Sequence, residues 1–327
     1  MQILVTGASG FVGRSLVLAL VDAGHEVRAM TRRPEVYDGT GEPVFGDVDN
    51  LDSLPAALAG CDVAYYLVHS LNHRDFVTRD AAAARGFGDL AAAAGVRRIV
   101  YLGGLGDPDD RLSAHLRSRQ ECEGLLGLGG VPVSTLRAGI IIGHRGASWE
   151  IIHNLVGKLP ALTVPQWGRT LTQPIALSDM VRYLVGVLDV DDRETYTFEV
   201  GGADVLRYSD MLSRVSVLEG RTSIFLPIWL PGGTRPAARA AAEALPLLTG
   251  VDRHTVRALI ESMKNEVVVR DDLVRSVVLF EPMGYDDAVL AALRDSAQDK
   301  LRDSAQDKLR NSAQDKVRNS AADELRR

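Results

Sequence analysis

The chain has 327 residues, of which 46% are hydrophobic, and a formal net charge of −6 at pH 7. This length can bury a large core in one extended domain or two small ones, and the negative charge gives no general attraction to nucleic acid. The two cysteines, Cys61 and Cys122, argue against a disulfide framework or a cysteine metal site, and no apolar run approaches the length of a transmembrane helix.

The first predicted strand, Gln2–Thr6, runs into a glycine-rich turn and then into a helix predicted over Gly10–Ala23. A strand that begins this early leaves no room for a signal peptide, so we expect a cytoplasmic location. Strand, glycine turn and helix in this order are typical of a dinucleotide-binding site. The turn reads Thr6-Gly7-Ala8-Ser9-Gly10-Phe11-Val12-Gly13.

Three glycines give this turn its predicted chemistry. Gly7 permits the tight bend, Gly10 lets the backbone approach a pyrophosphate, and Gly13 lets the helix pack closely on the strand. The helix N-terminus adds free N–H groups and the positive end of its dipole, which both favour phosphate. A glycine-rich turn without a ligand is the alternative. The residues predicted to contact the cofactor here are Thr6, Gly7, Ser9, Gly10, Phe11, Val12 and Gly13.

The second predicted strand, Glu26–Thr31, continues into Arg32 and Arg33. An NAD site usually places a carboxylate at the end of this strand for the ribose 2′-hydroxyl, whereas an NADP site uses an arginine for the 2′-phosphate. Two cations and no carboxylate therefore predict NADP(H) as the cofactor, with NAD(H) less favoured. A solvated basic loop is the alternative.

Two further strand ends are predicted to reach the cofactor. A short strand, Val44–Phe45, precedes Asp47, whose carboxylate is placed to bond the adenine amino group or, alternatively, to cap the helix predicted over Leu51–Ala59. The strand Val63–Val68 leads to its carboxyl end, where ligands bind in open α/β sheets. From these two ends we predict contacts of Asp47, Val48, Leu67, Val68 and His69 with the cofactor, and of His69 or Ser70 with the nicotinamide or a substrate.

Strands and helices keep alternating to about residue 145. Strands are predicted over Arg98–Leu102 and Pro132–Leu136, and helices over Arg74–Ala94 and Asp110–Leu128. Continuous apolar strands separated by helices predict an α/β fold, a doubly wound, mostly parallel sheet of the Rossmann type with right-handed crossovers. We assign residues 1–145 to this dinucleotide-binding domain.

The pattern loosens afterwards, and residues 146–292 are predicted to form a smaller substrate-binding part. A strand over Thr172–Leu177 precedes a helix capped by Ser178 or Asp179. The apolar, proline-broken segment Ile224–Gly233 fits a pocket wall, a lid, an interface or plain core. The remaining predictions are a strand over Thr195–Val200 and helices over Tyr208–Leu218, Ala237–Leu247 and Arg253–Met263.

Residues 293–327 form an eight-residue repeat. Leu293–Lys300 reads Leu-Arg-Asp-Ser-Ala-Gln-Asp-Lys, recurs unchanged in Leu301–Lys308 and then recurs twice with small changes. Its apolar residues lie four apart, a turn of about 400° per step, so the apolar stripe drifts by about 40° each time and forms no steady seam. We predict a polar tail that is a solvated helix or disordered, with a protein partner as a candidate contact.

Several motifs resemble those of the atypical, extended short-chain dehydrogenases/reductases, in the NmrA-like or NAD(P)H-binding branch, over roughly residues 1–290. The resemblance implies a cofactor across the carboxyl edge of the sheet and a small substrate-binding part after the sixth strand. The matching segments are the glycine turn, Gly46-Asp47, Tyr65-Tyr66-Leu67-Val68-His69-Ser70, Tyr101-Leu102-Gly103-Gly104-Leu105-Gly106, Leu136-Arg137-Ala138-Gly139-Ile140-Ile141-Ile142-Gly143 and Thr172-Gln173-Pro174-Ile175.

The usual catalytic residues of that superfamily are changed in this sequence. Its members carry a Ser or Thr after the fifth strand and a Tyr-x-x-x-Lys on the next helix. Here the fifth strand runs into Gly103 and Gly104, and His115 and Arg119 have the spacing of the Tyr and Lys. Residues four apart share a helix face, so we predict His115 as the proton donor and Arg119 as a holder of ribose hydroxyls. A solvated His115 is the alternative.

The other candidates are weaker. Tyr65, Tyr66 and Tyr101 lie in strands and are more typical of core. His144 and His153 are isolated in the sequence, so no metal site is predicted.

Three functions fit these residues. The leading hypothesis is an NADP(H)-dependent reductase of a small, mostly apolar carbonyl compound or similar electrophile. The second is an NADPH-binding protein without catalysis, such as a sensor or a structural accessory, which the missing hydroxyl and tyrosine favour. The third, a sugar-nucleotide epimerase, fits the extended architecture but lacks the tyrosine that serves as its acid and base.

Overall fold

The computed structural model describes residues 1–158, 161–164, 166–191, 193–221, 224–227, 250–302 and 304. A seven-stranded sheet forms its centre, and every neighbouring pair of these strands is parallel. Numbered in chain order, the strands are β1 Gln2–Val5, β2 Glu26–Thr31, β3 Glu42–Phe45, β4 Val63–Tyr66, β5 Arg98–Gly104, β6 Val133–Ala138 and β11 Tyr196–Val200. Their order across the sheet is β3-β2-β1-β4-β5-β6-β11.

Helices cover both faces of this sheet. On one face α1 (Phe11–Asp22) packs with α6 (Leu177–Gly186), and on the other α3 (Phe76–Ala93) packs with α4 (Ala114–Gly127). All four residues of β4 are buried, as expected for a parallel strand that is covered twice. The predicted doubly wound Rossmann architecture is confirmed.

The chain changes direction in the sheet between β1 and β4. It proceeds from β1 outwards through β2 to β3, then returns to place β4 on the other side of β1. In such sheets the crevice beyond the carboxyl ends of the strands at this switch point is where ligands bind. The glycine turn follows β1 and His69 follows β4, so the fold brings both to this crevice.

A second core lies in the C-terminal part. It joins Trp149 of α5 (Ala147–Lys158), Met211 of α7 (Tyr208–Leu218) and Val289 of a last helix, α9, over 285–302. Three two-stranded sheets, β7–β10, β9–β12 and β8–β13, accompany it. Their strands are β7 Ile141–Ile142, β8 Ala161–Val164, β9 Leu171–Thr172, β10 Ile175–Ala176, β12 Leu206–Arg207 and β13 Ile224–Pro227, and the remaining helices are α2 Leu54–Leu58 and α8 Arg253–Ser262.

The predicted starts of two helices were wrong. The helix expected over Asp110–Leu128 begins only at Ala114, where the Ser113 hydroxyl accepts the Leu116 N–H at 3.2 Å. Neither Ser178 nor Asp179 caps α6, whose N-cap residue is Ala176. Asp179 instead accepts the backbone N–H of Met283 at 2.6 Å, which ties α6 to the chain before α9.

The predicted elements of the C-terminal part agree with the structure only in some cases. The helix over Tyr208–Leu218 is confirmed, whereas the strand expected over Thr172–Leu177 is two short strands, β9 and β10. The helix predicted over Ala237–Leu247 lies outside the described residues, and of Ile224–Gly233 only β13 is described.

The final helix crosses the expected boundary at residue 293 without a break. Leu293 packs partly against the second core, but Leu301, one octad later, is 72% exposed. Eight residues rotate an ideal helix by about 80° beyond two full turns, so the second octad no longer faces the body. The first octad is therefore continuous with the folded part, and the predicted division at 293 stays a prediction.

Two general expectations concern cysteines and membranes. Cys61 and Cys122 are both buried and free. Within the described ranges, no helix has the length and apolarity that crossing a membrane requires.

Candidate functional site

The glycine turn has the geometry of a phosphate cradle. Gly10 N–H donates to the carbonyl of Gly7 at 2.8 Å, and Gly7 has φ of 64°, in the left-handed region that favours glycine. A Cβ at Gly13 would lie 2.2 Å from the Gly7 oxygen, so α1 can approach the turn only without a side chain there. The backbone conformation at Gly7 and the close approach at Gly13 thus explain why the turn has glycine at these two positions.

The N-terminus of α1 is open to an anion. Its N-cap residue is Gly10, no side chain caps the helix, and the first turn carries no acidic residue. Ser9 and Gly10 are exposed. Free N–H groups at the positive end of a helix fit the pyrophosphate of a dinucleotide.

The predicted contact residue Thr6 has a structural role in the described structure. Its buried hydroxyl accepts the N–H of Leu67 at 3.0 Å, which ties the end of β1 to the end of β4. The ring of Phe11 packs beside Gly143 and Gly146, where an added Cβ would approach it to 3.0 and 2.8 Å. Phe11 thus links the glycine turn to the loop after β7.

Arg32 and Arg33 are exposed after β2, and neither guanidinium has an ion pair within the described residues. In the same region, Arg14 of α1 forms an ion pair with Asp38 at 2.7 Å. The arrangement leaves both predicted cations available to a 2′-phosphate.

Asp47 does not cap the following helix. Its carboxylate accepts the N–H of Asp49 at 3.0 Å, while the N-cap residue of the next helical turn is Asn50, without a side-chain cap. The Ser53 hydroxyl accepts the N–H of Asp47 at 2.9 Å and donates to the carbonyl of Asn50 at 2.7 Å. The capping alternative is therefore wrong, and the contact of Asp47 and its neighbour Val48 with adenine stays a prediction.

Arg119 joins the ends of two central strands. Its guanidinium donates to the carbonyl of Val68 at 3.3 Å and to the carbonyl of Leu102. The residue is only 7% exposed. These bonds give Arg119 a part in building the crevice floor, in addition to the predicted contact with a ribose.

A second buried charge supports the same loop. Asp80 of α3 accepts the N–H of Ser70 at 2.7 Å, and its other oxygen has no hydrogen-bond partner. Burial raises the pKa of Asp80, although Arg119 opposes the shift. The loop that carries His69 and Ser70 is thereby fixed between α3 and Arg119.

His115 lies at the start of α4, where its Nδ1 is 3.1 Å from the hydroxyl of Ser262 on α8. Burial, and then the charges of Arg119 and His69, lower the pKa of His115 to about 3. With this pKa the ring is neutral at pH 7, which disfavours His115 as a proton donor there, and its catalytic role stays a prediction. Its position beside Arg119, predicted from the four-residue spacing, agrees with this electrostatic coupling.

The pKa of His69 is lowered as well, by the surrounding protein and by Arg119. The residue is nevertheless exposed, so water reaches part of its ring and screens the charge. Two neutral imidazoles and one guanidinium therefore gather at the carboxyl ends of β4 and β5.

The nearby tyrosines belong to the core. Tyr65 donates its hydroxyl to the Leu184 carbonyl at 2.8 Å, and Tyr101 donates to the Arg119 carbonyl at 2.9 Å. Burial raises the pKa of Tyr65, Tyr66 and Tyr101 above the ordinary value. None of the three presents an ionisable hydroxyl to the crevice.

The two glycines that replace the expected hydroxyl residue lie inside β5. A Cβ at Gly104 would approach the side chains of Arg119 and Leu116 to 3.2 Å each, tighter than ordinary contact. Where the expected hydroxyl residue is absent, α4 therefore lies so close to β5 that a side chain would be crowded. Packing, in addition to chemistry, explains the glycine at this position.

The isolation of the two other histidines in the sequence does not persist in the fold. His144 lies 3.0 Å from Asp299, and His153 lies 2.6 Å from Glu219 and stacks on Trp149. Still, no three His, Cys, Asp or Glu side chains of the described residues form a group able to hold a metal ion.

Sequence reasoning missed Ser262 and Asp80. Ser262 lies 147 positions after His115, so no local pattern connects them. Asp80 resembles an ordinary polar helix residue until its burial is known. Ser113, by contrast, was accessible from the sequence as a helix-capping residue three positions before Leu116.

Comparison with known proteins agrees with this geometry. A family model described as NAD(P)H-binding matches residues 7–131. A reductase of (4-alkanoyl-5-oxo-2,5-dihydrofuran-3-yl)methyl phosphate from Streptomyces griseus is 30% identical over 227 residues, which are 67% of this chain and 74% of the relative. The chain belongs to this NAD(P)H-binding family. The resemblance to atypical short-chain dehydrogenases/reductases is thus confirmed, and the NmrA-like branch stays a prediction.

Solved structures show that this NAD(P)H-binding chain has a widely shared fold. A Citrobacter triphenylmethane reductase complexed with NADP(H) has a TM-score of 0.69 at 18% identity, over 89% of this chain and 100% of that one. A nucleoside-diphosphate-sugar epimerase from Staphylococcus aureus has a TM-score of 0.70 at 16% identity, over 88% and 99%. At these identities the likeness shows the fold alone.

Proposed function

We propose that the chain is an NADP(H)-dependent oxidoreductase that reduces a small, mostly apolar carbonyl compound or related electrophile. The juxtaposition of two features carries this proposal. The open phosphate cradle follows β1, and the cluster of His69, His115 and Arg119 lies beyond β4 and β5, at the same edge of the sheet. A dinucleotide bound across this edge would have its phosphates at the first feature and its nicotinamide towards the second.

Each group of residues has a distinct task in this proposal. The turn and the α1 N-terminus hold the pyrophosphate, and Arg32 or Arg33 binds the 2′-phosphate. When bound, the cofactor supplies the hydride. Arg119 fixes the floor by joining β4 to β5, and the apolar cluster of Leu105, Leu112, Leu116 and Val267 beside α4 excludes water.

The protonation states favour acceptors that need no side-chain acid. His115 is neutral at physiological pH, and the three neighbouring tyrosines are buried in the core. A conjugated C=C–C=O compound accepts hydride at its β-carbon and forms an enolate, which takes its proton from water. The Streptomyces relative is named for a 5-oxo-2,5-dihydrofuran, an unsaturated lactone of this chemical class. We therefore place enones and quinones before saturated aldehydes.

A non-catalytic NADPH-binding protein is the second candidate. The same observations favour it, since the Arg119 guanidinium is bonded to backbone carbonyls and the buried Tyr65, Tyr66 and Tyr101 present no ionisable hydroxyl to the crevice. The epimerase hypothesis is less favoured, because the buried tyrosines offer no acid or base for it.

Steady-state NADPH oxidation with a panel of enones, quinones and saturated aldehydes tests the proposal. NADPH affinity is measured separately by calorimetry, so that binding and turnover are independent. We expect binding, and oxidation that is fastest with the conjugated acceptors. Tight binding of NADPH with no oxidation by any compound would favour the non-catalytic alternative, and faster turnover of saturated aldehydes would contradict the acid-free mechanism.

A further inference from the structure

We propose that two serines hold His115 as the Nδ1–H tautomer, so that its Nε2 accepts a hydrogen bond from a hydroxyl or N–H group of the substrate. The inference deepens the proposed function and rests on it, because it assumes that the chain binds a substrate. It assigns to Ser113 and Ser262 a positioning role, and it makes His115 a residue that selects substrates carrying a hydrogen-bond donor.

The hydrogen-bond geometry around Ser262 determines where each hydrogen lies. The Ser262 hydroxyl donates to the carbonyl of Ala258 at 2.8 Å, one turn earlier on α8. A carbonyl oxygen can only accept, and a serine has a single hydroxyl hydrogen. The Ser262 oxygen must therefore accept in its other two contacts.

Those two contacts come from the Rossmann domain. The Ser113 hydroxyl lies 2.9 Å from the Ser262 oxygen, and His115 Nδ1 lies 3.1 Å from it. Ser113 already accepts the N–H of Leu116, so its own hydrogen is free to point at Ser262. The remaining hydrogen must come from Nδ1 of His115. This is the one assignment that satisfies all four contacts.

The other ring nitrogen is then an acceptor. The low pKa of His115 means that the ring carries one hydrogen and not two, and that hydrogen is on Nδ1. Within the described part of the chain Nε2 has no hydrogen-bond partner. The groups around the ring are the neutral His69 and the cation Arg119, and the guanidinium donates to Val68 and Leu102 instead.

Such a nitrogen orients a donor and does not take its proton. With a pKa of about 3, the imidazole remains unprotonated at neutral pH even when it accepts a hydrogen bond. A substrate without a donor would leave Nε2 unpaired in a partly buried position. Sites built to bond a hydroxyl reject analogues that lack it, on the order of 10- to 100-fold for one lost bond.

Nitrogen NMR of the histidine-labelled full chain tests the tautomer without any substrate. We expect His115, identified by loss of its signals in His115→Phe, to show a protonated Nδ1 and a bare Nε2 with no titration between pH 5 and 8. Ser262→Ala should shift its population towards Nε2–H. Ser213→Ala is the matched control, because Ser213 makes the same bond to a carbonyl one turn earlier, at 2.9 Å to Ser209, without a histidine.

A pair of unsaturated lactones tests the donor preference. The probes are 4-(hydroxymethyl)furan-2(5H)-one and 4-methylfuran-2(5H)-one, which differ in one hydroxyl group. We expect kcat/KM for the hydroxymethyl compound to exceed that for the methyl compound by about 10- to 100-fold, mainly because its KM is lower. In His115→Phe the two compounds should have nearly equal kcat/KM. NADPH affinity, measured in parallel, reports whether that variant still folds.

The outcomes separate this inference from the proposed function. If neither lactone is reduced, their dissociation constants for the NADPH complex replace KM, and the same ratio is expected. A wild-type Nε2–H tautomer, or titration of His115 near pH 6.5, would overturn the inference while leaving reductase activity intact. Equal affinities for the two lactones, or binding of neither, would overturn the donor preference.

Discussion

At the scale of single residues, the chemistry of the crevice depends on His115 and Arg119, which lie four residues apart on one face of α4 and interact electrostatically. The pKa of His115 depends on burial and on the charges of Arg119 and His69, which the tertiary fold brings around the ring. Arg119 likewise bonds carbonyls of two strands that lie far apart in sequence. Spacing is local information, whereas protonation is set by neighbours that only folding brings near.

Arg32 and Arg33 give the first prediction at this scale. We expect Arg32→Ala/Arg33→Ala to weaken NADPH binding by about 10- to 100-fold, since a charge-assisted hydrogen bond contributes roughly 1.5–3 kcal/mol. NADH binding should change little, because NADH lacks the 2′-phosphate. Isothermal titration of both cofactors measures this.

The control is Arg257→Ala, which removes an exposed arginine of α8. It should leave the affinity for both cofactors unchanged. Equal loss of NADPH and NADH affinity in the double variant, or equal affinities in the wild type, would show that these arginines do not read the 2′-phosphate.

At the scale of secondary-structure elements, apolar runs and glycines predicted nearly every element of the dinucleotide-binding domain. Their ends were less predictable. The strand β5 continues through Gly103 and Gly104 because both residues pair with β6, and α4 starts four residues late because Ser113 caps it. In the C-terminal part the strands are two to four residues long outside the main sheet, too short for periodicity to define.

The glycines of the nucleotide-binding turn and of α4 give a graded prediction. Gly10→Val should abolish NADPH binding while the chain stays folded, because Gly10 has φ of −79° and ψ of 177°, which any residue adopts. A small loss of stability is expected, since its Cβ would lie 3.0 Å from the Gly7 oxygen. Gly13→Ala should lower stability as well, since its Cβ would meet the Gly7 oxygen at 2.2 Å. Gly124→Ala, inside α4 with open space around it, should raise stability by about 0.5–1 kcal/mol.

Thermal unfolding and cofactor titration of the three variants separate these effects. Retained NADPH affinity in Gly10→Val would mean that the phosphates bind elsewhere. An unfolded Gly10→Val variant would contradict the claim that this glycine serves the ligand and not the turn. Gly124→Ala should bind NADPH with the affinity of the wild type.

At the scale of the whole molecule, the described part of the repeat meets the body through its first octad. Asp299 bonds Arg145 at 2.6 Å and His144 at 3.0 Å, and Ser296 is 8% exposed, whereas Ser304, one octad later, is exposed. The sequence predicted the drift of the stripe correctly in kind. It could not predict where the drift leaves the body, because that depends on where α9 docks on α5 and α7.

The last prediction follows from this difference between octads. Ending the chain after Arg302 should leave the melting temperature within about 1 °C, because Leu301, Arg302 and Ser304, the described residues of the second octad, are all exposed. Ending it after Arg294 removes the buried Ser296 and both bonds of Asp299, which we expect to cost about 1–2 kcal/mol, or roughly 2–8 °C for a domain of this size. Differential scanning calorimetry measures both.

Asp299→Asn should account for at most about 1 kcal/mol, since Arg145 is largely exposed and such surface pairs are weak. The chain that ends after Arg294 should also bind NADPH modestly more weakly, because it lacks Asp299, which holds the loop at His144 and Arg145. The neighbouring Gly143 and Gly146 support the Phe11 ring beside the phosphate turn. Identical melting temperatures for the two truncations would mean that the first octad contributes nothing to stability although it contacts the body. The tail would then behave energetically like the solvated segment that the sequence predicted.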